Sequence, residues 1–339
     1  MDLVETSLKL LPEQFDEAWR QSSNIKHDWN INEIKNIVVC GMGGSRFTPL
    51  TVKYLYSDRI KVPYEIVDQY NLPNYVDSNS LVILSSYSGI TEEVISCANE
   101  AFAKKSFVSA VSAGGEIGNI IKGKGLPAYI FVPKNNPSGQ PRLGVGYMLG
   151  GHLGLLKSFG FLNIENSEIN NSVKYAKGLI SEGNEKYKDY ADKLKDKYPF
   201  IIVSEHLRGF ANGFANQINE NAKGISDFRY ISELNHHLME GLANPSSFRE
   251  KALFLFFKSS LYQPRIQKRF DLTHEVVSKQ SVETLTIKLI GKTKLDQVLE
   301  GFVLSGFTTY YLSKLYNVDP IKIPWVDYFK TKLGQPLGK

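Results

Sequence analysis

The feature that most constrains this chain is a rhythm of short apolar runs. Asn36–Cys40, Tyr64–Val67, Leu81–Leu84, Phe107–Val111 and Ala128–Val132 recur with helix-length stretches between them. Short runs that are mostly apolar read as buried strands, and strands alternating with helices build a parallel sheet covered on both faces. A charge-laced helix is expected across Asn171–Lys197. The rhythm then restarts with Phe200–Val203, Ala252–Phe257 and Thr284–Leu289. Helices are expected to about Ala222, over Pro264–Lys279 and over Lys294–Tyr316. The expected fold is therefore α/β, in two halves of similar plan, each a parallel sheet flanked by helices. At 339 residues the chain is long enough for two domains, drawn here as 1–160 and 161–339. A last short helix is expected over Pro324–Leu333, with proline in its first turn.

Chemistry-bearing residues collect where strands end. Ser85-Ser86-Tyr87-Ser88-Gly89-Ile90-Thr91-Glu92-Glu93 follows one strand and opens a helix whose inner face is Val94, Ile95, Ala98, Ala101 and Phe102. Free amides at a helix start attract anions, hydroxyls add donors, and Gly89 would admit an anion close to the backbone. The plainer reading is a helix N-cap, for which Ser and Thr are ordinary choices. A second turn, Gly41-Met42-Gly43-Gly44-Ser45, sits where a dinucleotide fingerprint would, but Arg46 occupies the place of its third glycine. A tight packing turn is the alternative there, with a helix expected from about Pro49 to Tyr56. Both turns lie at the carboxyl edge of one parallel sheet, where ligands bind in such folds. Together they point to a sugar-phosphate pocket that uses no metal.

Composition excludes several classes. The net charge of +5 is spread along the chain and forms no nucleic-acid stripe. Met1–Arg20 is acidic and amphipathic, unlike a signal peptide, and no apolar run reaches membrane-spanning length. The two cysteines, Cys40 and Cys97, lie in apolar contexts and read as buried free thiols. No Cys/His spacing suggests zinc. The expectation is a cytoplasmic protein with no nucleic-acid or membrane partner.

Gly43-Gly44-Ser45 followed by Ser86-Tyr87-Ser88-Gly89-x-Thr91 resembles the sugar isomerase domain, whose loop hydroxyls hold the phosphate of a phosphosugar. In tandem, at this length, the sequence is similar to the bifunctional phosphoglucose/phosphomannose isomerases. Four later segments carry the resemblance: Pro141-Arg142, Gln217-Ile218-Asn219-Glu220-Asn221-Ala222-Lys223, Ser232-Glu233-Leu234-Asn235-His236 with Glu240-Gly241, and Asp319-Pro320 with Asp327–Lys330 and Leu333. The resemblance implies two sugar-isomerase-type domains. It implies that Gly43, Gly44, Ser45, Ser86, Ser88 and Thr91 hold the phosphate. Glu220 would be the base that moves a proton between C1 and C2 through a cis-enediol. His236, supplied by the other subunit of a homodimer, and Lys330 would open the ring, with Lys332 as the alternative lysine. Arg142 would steady the enediolate charge. The implied activity interconverts glucose 6-phosphate, fructose 6-phosphate and mannose 6-phosphate, without cofactor or metal.

Plainer readings stand beside these roles. Glu220 could be a solvated helix carboxylate, Lys330 and Lys332 an exposed basic helix end, and His237 a local polar contact. His236-His237 lacks the spacing of a metal pair. A non-enzymatic sugar-phosphate sensor and an isomerase of a different phosphosugar remain the rival functions. The chain departs from the family at Gly209 and Gly213, which weaken their helix by about 1 kcal/mol each. In Ile321–Pro324 the small polar residue that would admit mannose chemistry cannot be located.

Overall fold

The computed structural model describes residues 2–334. The chain forms two compact units, residues 1–173 with 322–339, and residues 174–321. The division at 160 drawn from sequence falls inside the first unit.

The first unit is built on β1 (Asn36–Cys40), β2 (Tyr64–Val67), β3 (Ser80–Ser86), β4 (Phe107–Ser112) and β5 (Tyr129–Ile130). The strands pair in parallel in the order β2-β1-β3-β4-β5. Around the sheet run α1 (Leu3–Lys9), α2 (Leu11–Ser22), α3 (Gly44–Leu55), α4 (Glu92–Ala103), α5 (Gly115–Lys124) and α6 (Val145–Ser158); α7 (Asn166–Ser181) carries the chain onward. Alternate strand residues serve alternate faces, as the period-2 pleat requires. Val38, Val82, Leu84 and Ala110 pack with Val94, Ala98 and Ile117 of α4 and α5. On α6, Gly146, Gly150 and Gly154 form a stripe against α2: a Cβ at Gly150 would lie 2.6 Å from the Phe15 carbonyl, and one at Gly154 1.8 Å from Ser22 Oγ. The glycine richness of α6 is thus a packing device that lets two backbones meet.

The second unit repeats the plan. β6 (Tyr198–Val203), β7 (Asp227–Tyr230), β8 (Ala252–Lys258) and β9 (Glu283–Lys288) pair in parallel as β7-β6-β8-β9. This is the arrangement of the first four strands of the other sheet, so the expected similarity of the halves extends to strand order. Its helices are α8 (Glu185–Leu194), α9 (Arg208–Gln217), α10 (Phe248–Lys251), α11 (Pro264–Lys279) and α12 (Lys294–Leu315). Phe257 of β8 meets Phe210 and Phe214 of α9, while Phe256 faces Phe270 of α11. The last helix, α13 (Pro324–Leu333), has the expected bounds and belongs with the first unit.

Four expectations change. The helix after β1 starts at Gly44, not near Pro49, and Pro49 lies inside it. The helix expected over Asn171–Lys197 is two, α7 and α8, parted near Gly183, whose φ of 96° no other residue type takes comfortably. The run Ala128–Val132 pairs only over Tyr129–Ile130. Strand β7, Asp-Phe-Arg-Tyr, was invisible to a search for apolar runs because each of its residues is only half-buried.

Candidate functional site

In the first sheet the chain reverses its direction of growth between β1 and β3, which are neighbours, with β2 and β4 outside them. Loops leaving such a pair part and open a crevice at the carboxyl edge. Six candidate residues line these two loops. Gly43 has φ 50°, and the space a Cβ would take is open. It is the N-cap of α3, and no side chain caps the helix there. Thr91 is the N-cap of α4, again without a side-chain cap. Both helices therefore start without a side-chain acceptor for their first amides.

The hydroxyls are knitted together. Ser86 Oγ and Thr91 Oγ1 lie 2.8 Å apart, and Ser86 Oγ accepts the Gly89 amide at 3.0 Å. Two hydroxyls that share one hydrogen bond keep one proton for an acceptor outside. Ser45 Oγ accepts the Tyr87 amide at 2.9 Å, which joins the two loops. Ser88 and Thr91 are half-buried, and Ser45 and Ser86 are buried. Gly89, with φ 69°, admits no anion at its α-carbon: a Cβ there would sit 1.8 Å from the Gly114 carbonyl. The glycine is required by the neighbouring β4–α5 turn. Arg46 Nε binds Asp68 Oδ2 at 2.7 Å, so the acid after β2 that would take a ribose in a dinucleotide fold is already paired.

Arg142 follows on a short 3-10 turn, Pro141–Leu143, and is only 1% exposed. Its Nη1 donates to Gln140 Oε1 at 2.8 Å. A Cβ on Gly44 would touch the Arg142 amide nitrogen at 3.5 Å, so this turn lies against the β1 loop. Tyr87 completes the wall; its hydroxyl accepts from Asn136 Nδ2 at 2.7 Å, and burial pushes its pKa up to about 12. A guanidinium keeps its charge when buried, so this turn delivers fixed positive charge beside the glycine loop.

In the second unit, α9 ends in a single turn of π-helix, Ile218–Ala222. Such turns are rare and recur at functional sites. Gln217 Oε1 accepts from Ser305 Oγ at 2.6 Å, and Asn221 Nδ2 donates to Thr309 Oγ1 at 3.0 Å, both on α12. These two anchors fix one side of the turn. Glu220 is half-buried and Asn219 exposed. In the next segment Leu234 is buried, and Asn235 donates to Thr273 at 2.7 Å while accepting from Arg269 at 3.1 Å. With the two residues before it held against the unit, His236 is exposed. His237 makes the local contact expected of it, 3.0 Å to Glu233. On α13, Lys330 is half-buried, and Lys332 lies 5.8 Å from the Tyr328 ring centre. Among the described residues, no three His, Cys, Asp or Glu side chains gather as metal ligands, and no helix is long and apolar enough to cross a membrane.

The profile described as the bacterial phospho-glucose isomerase C-terminal SIS domain matches residues 184–333. The bifunctional phosphoglucose/phosphomannose isomerase of Thermoplasma volcanium is 30% identical over 313 residues, covering 90% of this chain and 94% of the relative. The chain belongs to the bifunctional phosphoglucose/phosphomannose isomerase family. The protein of that name from Caldicellulosiruptor bescii is 29% identical over 338 residues, covering 96% of this chain and 97% of the relative. In fold the chain is similar to tagatose-6-phosphate ketose/aldose isomerase from Escherichia coli, with TM-score 0.73 and 12% identity across 94% of each chain.

For a member of this family, sequence reading missed the residues that hold the loops in place. Gln217 and Asn221 belong to the motif but act as anchors. Ser85 and His152, bonded at 2.9 Å, lie behind the β1 and β3 loops. The only signal for His152 was a polar residue inside an apolar, glycine-rich helix.

Proposed function

We propose that the chain is an aldose–ketose isomerase interconverting glucose 6-phosphate and fructose 6-phosphate, and mannose 6-phosphate and fructose 6-phosphate. The observation that carries this reading is 30% identity to the Thermoplasma volcanium enzyme across 94% of that enzyme's length. In this reading the substrate phosphate is held by the amides and hydroxyls of Gly43, Gly44, Ser45, Ser86, Ser88 and Thr91. The reacting end is served by other residues. Lys330 and His236 open the hemiacetal ring, Glu220 carries the proton between C1 and C2, and Arg142 offsets the charge of the cis-enediolate.

The protein acts as a homodimer in which His236 serves the site of the second subunit. The exposure of His236 supports this, as does the apolar surface of α13, where Trp325 is 82% and Phe329 61% exposed. A cytoplasmic place in glycolysis and gluconeogenesis fits the substrate class and the two free cysteines.

The test is a coupled assay with fructose 6-phosphate and with mannose 6-phosphate, run with and without a chelator. Turnover of both that is indifferent to the chelator is the expected result. Tight binding without turnover would replace the reading with a sugar-phosphate sensor, and loss of activity with the chelator would point to a metal enzyme.

A further inference from the structure

We propose that His152 is a positioning residue for the phosphate end of the site, acting through the Ser85 hydroxyl on the carbonyl of Ser45. The inference rests on the isomerase reading in that it takes the β1 and β3 loops to be the phosphate cradle.

Proton counting fixes the direction of the chain. Ser85 Oγ lies 2.7 Å from the Ser45 carbonyl oxygen and 2.9 Å from His152 Nε2. A carbonyl only accepts, so the single Ser85 proton goes to Ser45, and Ser85 must accept from the imidazole. His152 is therefore the Nε2–H tautomer. Its Nδ1 has no partner among the described residues, and the side chain is fully buried in α6. Burial lowers its pKa to about 3, which keeps that tautomer neutral.

The Ser45 carbonyl needs this donor for a reason written in the sequence. Four residues on, where a helix would supply an amide proton, stands Pro49 inside α3. The Ser85 hydroxyl takes the place of the missing N–H. Ser45 is then held at both ends, its carbonyl by Ser85 and its hydroxyl lone pair by the Tyr87 amide at 2.9 Å. The Ser45 hydroxyl proton is left for an anion in the crevice. Without His152, the Ser85 hydroxyl is free to rotate, the Ser45 carbonyl loses its donor, and the first turn of α3 slackens.

The test compares His152→Leu with His152→Gln, which keeps a donor at similar reach. Inorganic phosphate binding is measured by titration calorimetry, and KM and kcat with fructose 6-phosphate. His152→Leu is expected to weaken phosphate and raise KM by a common factor of about tenfold, with kcat within about twofold, and His152→Gln to recover most of the loss. Pro49→Ala, which returns an amide proton to the Ser45 carbonyl, is expected to restore phosphate affinity in the His152→Leu background. If His152→Leu does not fold, Ser85→Ala with and without Pro49→Ala reads the same chain, with the same recovery expected.

A folded His152→Leu with unchanged phosphate affinity overturns the proposal. So does a loss confined to kcat, or the absence of any recovery with Pro49→Ala. Wild-type protein that neither binds phosphate nor turns over fructose 6-phosphate would instead overturn the isomerase reading.

Discussion

Glu220 stands on a π-helical turn whose hold on α12 is made by Gln217 and Asn221. Glu220→Gln leaves both of these anchor residues in the chain. Glu220→Gln is expected to lower turnover by about 10²–10⁴-fold, as for loss of a general acid–base group, with the melting temperature unchanged. Two other residues set an acid limit. Burial lowers the His152 pKa to about 3; burial also lowers that of His206, to about 4, although its Nε2–H donates to Gln297 Oε1 at 3.0 Å, which works in the opposite direction. The unfolded chain takes up both protons near an ordinary 6.5, so between that pH and about 4 it binds more protons than the folded one. Stability is complete above about pH 6.5 and falls below it by about 1.4 kcal/mol per pH unit for each histidine. Denaturant titrations from pH 7 to 4.5 check this. His206→Gln should show a slope shallower by about 1.4 kcal/mol per pH unit, and an unchanged slope would contradict the assignment.

Among elements, the α2–α6 pair depends on backbone approach. A Cβ at Gly150 would come within 2.9 Å of Ala18 Cβ as well as 2.6 Å of the Phe15 carbonyl. Gly150→Val is expected to cost about 2–4 kcal/mol through overpacking. Gly118 on α5 is the contrast, because a Cβ there meets only Ile130 Cγ2 at an ordinary 3.7 Å. Gly118→Ala should gain about 0.5–1 kcal/mol from helix propensity. Thermal melts of the two variants test both signs. These elements also show what sequence could reveal. The covered strands β1, β3, β4, β6 and β8 were legible because burial on both faces makes most of each strand apolar. The edge strand β7 and the onset of α3 were not. One alternates charged and aromatic residues, all half-buried, and the other depends on a tertiary donor, Ser85, that offsets the proline. The low helix propensity of Gly209 and Gly213 matters less than the sequence implied, since Phe210 and Phe214 of α9 pack on Phe257.

For the whole molecule, the two sheets share a strand order, yet the candidate residues divide between the units. The phosphate-loop candidates and Arg142 lie in the first unit, and Glu220 and His236 in the second. Motif order along the chain singles these residues out as candidates. Ser85 and Asn235 lie inside the same stretches, but their supporting contacts are tertiary and have no sequence signal, and His152 carries no local pattern at all. If His236 serves the opposite subunit, two inactive variants should complement. Co-refolding Glu220→Gln with His236→Asn puts one intact site in each mixed dimer and should recover about a quarter of wild-type activity. No recovery would place His236 in the site of its own chain.

Glu220 is proposed to carry the proton between C1 and C2 through an enediol, and deuterium from the solvent labels that transfer. With fructose 6-phosphate in deuterium oxide, the wild type should wash deuterium from solvent into the carbon that receives the proton, followed by NMR, while Glu220→Gln should show neither exchange nor net isomerisation above about 1% of that rate. Isomerisation without deuterium uptake, or exchange at the wild-type rate in Glu220→Gln, would contradict the account.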